Sequence, residues 1–402
     1  MKKYWKELLL LIGYTVLVMI PLITKSQIYN HIVGYDQPRS DFRDYTALVS
    51  SWINGEPVSF SLYNARTILA YPIIAINKIT EANVDSIYIT ICFVLLVLTG
   101  IVIYYTIREL VNKESGFLSI AIAIFCTTGI LGMFYFGMIC SIVNMYIFLL
   151  FGILAAIKWL TKGKIIWLVG SILSVAIFSL FHTTAIYFPY FAAIIFVLII
   201  ACKLINKKES IWKPIILLVI LLVVNTSVSF TALPNTILLN KYVAENAEVA
   251  ASKIIITKTP TETTNETEKP IKPENSFNYL SNSPLSLTHF ILYYLSISTV
   301  GIMIVTIFFL TKCKENIKLR QETKYLLIIL SGIVLALSIG TFTPIAIEPV
   351  RSATDLATIL ALITATMAGI MIINAKSKIP KVAISLLLSI GLITNIIPWV
   401  MK

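Results

Sequence analysis

A cluster of charged side chains follows the first long apolar run of this chain. It holds three carboxylates and two guanidinium groups: Asp36, Arg39, Asp41, Arg43 and Asp44. A carboxylate can act as a general base toward an acceptor hydroxyl or bind a divalent cation, and the planar fork of arginine suits phosphate oxygens. The cluster therefore predicts a site for a phosphorylated substrate. The alternative is that Asp41 and Asp44 stabilise the first turn of a helix through its dipole, while Arg39 and Arg43 bind lipid headgroups.

Two further positions carry groups suited to phosphate binding. Arg351, in Glu348-Pro-Val-Arg351, is the only basic residue in a short predicted outer turn, and Asp355 follows one helical turn later. The alternative for Arg351 is an arginine that snorkels to lipid phosphates. His182 lies at a predicted turn between two spans and is a candidate contact to a phosphate or sugar; the alternative is a histidine satisfied at a helix end. The three histidines lack the spacing of metal ligands, so no zinc site is predicted.

The elements that must position these groups are membrane helices. Of the 402 residues, 57% are hydrophobic and 13% are charged, compared with about 25% charged in an ordinary soluble domain. Apolar runs long enough to cross the bilayer as helices recur throughout, and the alternating pattern of a barrel is missing. The sequence predicts an all-α polytopic membrane protein, a single domain over 1–402 with about eleven spans. These are 8–24, 86–107, 116–133, 141–159, 165–181, 185–204, 214–231, 288–311, 325–343, 353–374 and 382–400.

Charge distribution predicts the orientation. The first span reads as a retained signal-anchor with a cytosolic N-terminus. With that orientation, 20 of the 32 Lys and Arg residues fall in cytosolic segments, and 14 of the 20 Asp and Glu residues fall outside. This topology, rather than nucleic-acid binding, accounts for the net charge of +12. The long outer loops are then 25–85 and 232–287, and the short apolar stretch 67–76 is expected to be re-entrant or to lie on the surface.

The first outer loop is expected to carry interfacial helices. Ser40 is a candidate N-cap, Asn54-Gly55 is a candidate end, and an apolar stripe with helical spacing lies between them: Phe42, Tyr45, Leu48 or Val49, and Trp52. The stripe is predicted to rest on the bilayer interface, so that Asp41 and Asp44 share the other face. The loop 232–287 is polar and is expected to be mobile.

The first outer loop resembles a known family. The run Ser40-Asp41-Phe42-Arg43-Asp44-Tyr45, then Gly55 and the pair Tyr71-Pro72, is similar to a motif of the polytopic GT-C glycosyltransferases, closest to their mannosyltransferase-like branch. The likeness in topology covers most of the chain, and the motif covers about 40 residues. The chain departs from that branch at His182, where lysine is usual, in the single proline after Tyr71, and in the long 232–287 loop.

The resemblance implies an enzyme of the cell membrane. It would take a sugar from a polyprenyl-phosphate monosaccharide at the extracytoplasmic face and pass it to a hydroxyl of a glycan, lipid or protein. No cofactor is implied with certainty, and a divalent cation stays open. Asp41 matches the position of the catalytic base, with Asp44 as the second choice and Asp36 as an assisting group. The candidate substrate and donor-phosphate contacts are Arg39, Arg43, Tyr45, His182 and Arg351.

Two other functions remain as alternatives. A polysaccharide polymerase or ligase of the O-antigen type would depend on arginines and a histidine in the late outer loop, but 232–287 contains neither residue type. A lipid or sugar exporter would move its substrate without covalent transfer. The sequence has no phosphate-binding glycine loop for a nucleotide-driven pump, and it lacks paired Gly/Pro-broken spans in two matching halves.

Overall fold

The structure is a computed structural model, which describes residues 5–24, 46, 49–50, 53–54, 67–127, 139–181, 187–206, 211–228, 284–313, 317–343 and 349–401. Every regular element in these ranges is a helix. In chain order they are α1 (Trp5–Thr24), α2 (Thr67–Thr80), α3 (Val84–Leu110), α4 (Lys113–Ile120, continued by a π-helical turn Ala121–Cys126), α5 (Ile139–Lys162), α6 (Ile165–Phe181), α7 (Tyr187–Asn206), α8 (Trp212–Val228), α9 (Leu287–Leu295), α10 (Ile297–Cys313), α11 (Gln321–Phe342), α12 (Pro349–Asn374) and α13 (Ile379–Met401).

A helix lies at the place of each predicted span, because an apolar segment in a bilayer must satisfy its backbone hydrogen bonds internally. Within the described residues, three helices are long and apolar enough to cross a membrane, namely α3, α11 and the part Ser352–Asn374 of α12. A fourth is obtained if α9 and α10 together form one span. The count of about eleven crossings therefore stays a prediction.

The segment predicted as a single span over 288–311 differs from that expectation. It consists of α9 and α10, which are bent by 99° relative to each other. The break lies at Ser296, where φ is 68° and ψ is 149°. Serine is not a strong helix breaker, so this bend depends on contacts with the rest of the molecule rather than on local sequence.

The apolar stretch 67–76 belongs to α2, which extends to Thr80 and contains Pro72. Fourteen residues of helix rise only about 21 Å, less than the hydrocarbon thickness of about 30 Å. The side chain of Ile73 is fully buried, and α2 packs against α3. Its length agrees with the prediction that this stretch does not cross the membrane.

The most buried of the candidate spans is α12. Its buried face carries alanines at helical spacing: Ala353, Ala357, Ala361, Ala365 and Ala368. Small residues let helices approach closely in a membrane. At Gly369 an added Cβ would lie 2.2 Å from the Ser115 hydroxyl of α4, and that hydroxyl donates a 3.0 Å hydrogen bond to the Thr366 carbonyl. The two helices are therefore in near-backbone contact.

Polar and charged groups tie several helices together at one end of the bundle, which we call the charged end. The contacts are Glu7 with Arg108 (3.0 Å) and Lys113 (2.9 Å), Lys158 with Glu109, Lys203 with the Tyr325 hydroxyl (3.4 Å), and Thr323 with the Leu110 carbonyl (2.8 Å). Residues from five predicted cytosolic segments therefore meet at this end of the bundle. The segments lie around 1–7, 108–115, 158–164, 203–213 and 312–324. That the end faces the cytosol stays a prediction.

Candidate functional site

The residues of the predicted catalytic cluster lie outside the described part of the chain. This holds for Asp36, Arg39, Asp41, Arg43, Asp44 and Tyr45 in the first outer loop, and for His182 between α6 and α7. Arg351 lies in the first turn of α12, with its side chain outside the described part. The roles assigned to these residues therefore stay predictions.

The helix predicted to follow Asp41 and Asp44 is visible at isolated positions. Thr46, Val49, Ser50 and Ile53 are helical, and the Asn54 amide donates to the Ser50 carbonyl at 3.0 Å. One detail differs from the prediction, because Val49 is only 4% exposed and packs in the protein core instead of facing the bilayer interface. The helix therefore contacts the bundle at Val49.

A buried hydrogen-bonded pair joins α5 to α12. The Tyr146 hydroxyl donates to the Asp355 carboxylate at 2.6 Å, and both side chains are at most 1% exposed. Thr358, one turn along α12, is also fully buried, and its hydroxyl donates to the Thr354 carbonyl at 3.1 Å. A carboxylate inside a membrane bundle is costly unless it is partnered, and such residues are often functional.

Asp355 and Arg351 are one turn apart on α12, so the two positions share a helix face. Both lie near the start of the helix. Gly369, near its other end, packs against Ser115 beside the charged end. The arginine predicted to bind a phosphate therefore occupies the end of the bundle opposite to the charged end, directly above a buried carboxylate. This is the end at which we expect the first outer loop.

Sequence reasoning singled out Asp355 as costly but missed Tyr146 and Ser296. Tyr146 lies inside an apolar run, where an aromatic residue usually indicates core packing. Ser296 begins the run Ser-Ile-Ser-Thr, a polar interruption within a predicted span that could have indicated a break. The hydroxyls of Ser296 and Thr299 both donate to the Cys126 carbonyl, at the end of the π-helical turn after α4.

An apolar cavity of about 80 Å³ lies among α5, α6, α7, α8 and α11. Its wall includes Leu149, Phe178, Phe196, Leu217 and Ile333, and no lining residue has a polar side chain. The cavity therefore offers no group to hold a phosphate or a sugar hydroxyl.

No group of three or more His, Cys, Asp or Glu side chains in the described residues is placed to hold a metal ion. The only carboxylate cluster suggested by the sequence as a cation site consists of Asp36, Asp41 and Asp44, outside those residues.

Comparison with known proteins provides information about the fold. No protein-family model matches the sequence, and no curated protein matches it. The chain is similar to the apo crystal structure of the Archaeoglobus fulgidus oligosaccharyltransferase, with a TM-score of 0.56 and 14% sequence identity. The match covers 98% of this chain and 55% of that one, so this chain spans about half the length of its neighbour. That enzyme has a GT-C fold, and the likeness therefore supports the predicted GT-C-like architecture at the level of the fold.

Proposed function

We propose that the protein is a membrane-embedded glycosyltransferase of GT-C type. It transfers a sugar from a polyprenyl-phosphate monosaccharide to an acceptor hydroxyl at the extracytoplasmic face, in the assembly of a cell-surface glycan or glycolipid. The observation that carries the proposal is the fold likeness to an oligosaccharyltransferase over 98% of the chain. The position of Arg351 at the end opposite to the charged end agrees with it.

The proposed chemistry is a single displacement at the anomeric carbon. The Asp41 carboxylate takes the proton of the acceptor hydroxyl while that oxygen bonds to the anomeric carbon. The bond between the anomeric carbon and the phosphate oxygen breaks, and the polyprenyl phosphate leaves with the electron pair. Arg351, Arg39 and Arg43 stabilise the charge that develops on the phosphate. Asp44 is the second candidate for the base, Asp36 assists, and Tyr45 and His182 contact the substrate.

The membrane supplies the geometry for this reaction. The phosphate of a lipid-linked donor lies at the depth of the headgroups, and the start of α12 would bring position 351 to that depth. Asp355, fixed by Tyr146, lies one turn deeper on the same helix face. A nucleotide-sugar site on the cytosolic side is not required.

The second candidate is transfer of an oligosaccharide rather than a single sugar. It is favoured by one observation, the name of the structural neighbour, an oligosaccharyltransferase. A polymerase or ligase acting on lipid-linked oligosaccharides would share the phosphate-binding arginines and differ in the space offered to the glycan. The donor therefore has to be varied in the test.

The test is a transfer assay in liposomes with radiolabelled donors, one with a polyprenyl-phosphate monosaccharide and one with a polyprenyl-linked oligosaccharide. Candidate acceptors are offered from the outside, and Asp41→Asn is compared with the wild type. We expect transfer from the monosaccharide donor and a loss of about 10²-fold or more in Asp41→Asn, the size of a typical general-base contribution.

The matched control is Asp85→Asn, an exposed carboxylate in the first turn of α3, which should keep full activity. Undiminished transfer by Asp41→Asn would refute the assignment of the base. Transfer from the oligosaccharide donor alone would favour the second candidate. Movement of the intact lipid across the bilayer without consumption of donor would establish an exporter instead.

A further inference from the structure

The short helix α9 lies nearly perpendicular to α10. The bend of 99° occurs at Ser296, whose positive φ of 68° lies in a region that non-glycine residues rarely adopt. The Ser296 hydroxyl donates to the Cys126 carbonyl, and the Thr299 hydroxyl donates to the same carbonyl at 3.2 Å. Tertiary contacts with the end of the π-helical turn after α4 therefore hold the bend in place.

Contacts with α11 fix the depth of α9. The Leu285 amide, just before α9, donates to the Thr341 carbonyl at 3.0 Å. The ring of Phe290 packs edge-on against Phe342, with 5.4 Å between the ring centroids. Phe342 is the last residue of α11, a helix long and apolar enough to cross the membrane. Because α9 sits at the point where this helix ends, we expect it at the edge of the hydrocarbon layer.

The two sides of α9 differ in burial and in polarity. Phe290 and Leu295 face the protein and are 2% and 4% exposed. Leu287, Leu292 and Tyr293 point away and are 62%, 51% and 62% exposed. The stretch 284–297 has no Lys, Arg, Asp or Glu. The exposed surface also includes Thr288 and His289, and the His289 ring stacks on Tyr293 with 4.4 Å between the ring centroids. Apolar and aromatic side chains mixed with uncharged polar groups are typical of the membrane–water interface.

We propose that α9 lies in the plane of the membrane surface opposite to the charged end, with Leu287, Leu292 and Tyr293 inserted at the boundary between lipid headgroups and acyl chains. The partner of this surface is the lipid bilayer. A water-exposed α9 would leave three large, mostly apolar side chains in contact with water, which is unfavourable. A re-entrant α9 would have to turn back into the hydrocarbon layer, whereas the bend directs it along the surface.

The placement has a structural consequence for the neighbouring helix. The π-helical part of α9 contacts α12, the helix that carries Arg351 and Asp355. A helix embedded at headgroup depth beside the start of α12 would restrict access to α12 from that side. The inference does not rest on the proposed enzymatic activity, because it follows from the bend, the contacts with α11 and the exposed side chains.

The test measures depth in the full-length protein in liposomes. An environment-sensitive fluorescent amino acid is placed at Leu292 or Tyr293, with Leu287 as a further position if either variant fails to fold. Ile304, which is 62% exposed in the middle of α10, serves as the deep control, and exposed Asp85 serves as the aqueous control. Quenchers are a nitroxide on the lipid headgroup, a nitroxide at the end of the acyl chain, and iodide in water.

We expect the headgroup nitroxide to quench positions 292 and 293 about twofold or more better than the acyl-chain nitroxide, since the two quenchers differ in depth by roughly 15 Å. The order should be reversed at Ile304, and iodide should quench strongly only at Asp85. If positions 292 and 293 follow the pattern of Ile304, α9 is re-entrant and the proposal is wrong. Iodide quenching equal to that at Asp85 would show that α9 is in water, which also overturns it.

Discussion

Tyr146 and Asp355 are separated by 209 residues in the chain, yet their side chains form a buried hydrogen bond between two helices. The bond matters because the loss of a hydrogen-bond donor leaves more of the desolvation cost of a buried carboxylate uncompensated. At the scale of single residues, the start of α12 therefore carries both the Tyr146–Asp355 hydrogen bond and Arg351, the residue predicted to bind phosphate.

Replacing Tyr146 by phenylalanine tests the structural constraint. Tyr146→Phe removes one hydroxyl and should lower the free energy of unfolding by about 1.5–3 kcal/mol, the range for hydrogen bonds to charged groups. Denaturation of the purified protein in detergent provides the measurement. The control is Tyr105→Phe, at a tyrosine that is 45% exposed, which should change stability by less than about 0.5 kcal/mol. Equal effects of the two changes would mean that the pair contributes nothing specific.

Replacing Arg351 tests the proposed phosphate contact. Arg351→Gln should lower the rate of sugar transfer about 10²-fold, because it removes a charge that stabilises the leaving phosphate. Arg320→Gln, at the charged end where the arginine is exposed, should leave the transfer rate unchanged. Both rates are read from the liposome assay. A similar loss in the two variants would point to a general effect on the protein rather than on the donor.

At the scale of helices, close approach between α4 and α12 depends on the absence of a side chain at position 369. Gly369→Ala would place a methyl group 2.2 Å from the Ser115 hydroxyl oxygen and 2.4 Å from its backbone nitrogen, so the helices must separate. We expect a loss of about 1–3 kcal/mol in unfolding free energy, as for other overpacked sites. Gly13→Ala in α1 is the matched change, because an added Cβ there meets nothing within 4 Å. It should be neutral or stabilise by up to about 1 kcal/mol.

The positions of the helices could be predicted from the sequence, whereas their breaks and partners could not. Apolar runs in a bilayer have one way to satisfy their backbone, so α6 begins and ends where the run 165–181 does. The bend at Ser296 depends on the Cys126 carbonyl, 170 residues away; the local run Ser-Ile-Ser-Thr could indicate a break but does not identify this partner. The same holds for Tyr146, which hydropathy alone assigns to the core. The roles of Asp41 and Arg351 rest on the resemblance, and they await the experiments above.

At the scale of the whole molecule, the charged end predicts which end of the helical bundle faces the cytosol. Lys164 and Lys376 are exposed next to helix ends that belong to the charged end, and exposed Asp85 lies at the opposite end of α3 from Arg108. In a background without native cysteines, Lys164→Cys and Lys376→Cys should react with a membrane-impermeant maleimide only when the cytosolic side is open. Asp85→Cys should react in intact cells. Labelling of Asp85→Cys and Lys376→Cys from the same side would contradict the predicted topology.

The ion pairs of Glu7 predict a pH dependence of stability. Glu7 precedes the predicted span 8–24 and is 7% exposed. The hydrogen bond from Lys113, with the positive charges of Arg108 and Lys113, holds the pKa of Glu7 below its ordinary value of 4.5, against the opposing effect of burial. Because the folded-state pKa is lowered, the stabilisation is complete above the ordinary pKa and is lost as the pH falls through the folded-state pKa.

Glu7→Gln should therefore lower the unfolding free energy by about 1–2 kcal/mol at neutral pH, a modest value because both cations are partly exposed. The difference from the wild type should shrink as the pH falls below the ordinary glutamate pKa of 4.5 and through the lower folded-state pKa. Thermal unfolding at several pH values provides the measurement, and exposed Glu114→Gln in the first turn of α4 is the control. A difference that is constant with pH would show that Glu7 acts by packing rather than by charge.

The contacts of Glu7 also impose an order in time. Glu7 is synthesised about 100 residues before Arg108 and Lys113, a delay of roughly 5–20 s at ordinary rates of translation. During that interval α1 can already insert into the membrane, but the Glu7 carboxylate has neither of its two cationic partners. The ion pairs can form only after the end of α3 has been synthesised. We therefore expect the position of α1 in the membrane to be less constrained until that point. It becomes constrained once the second long hydrophobic segment has been synthesised.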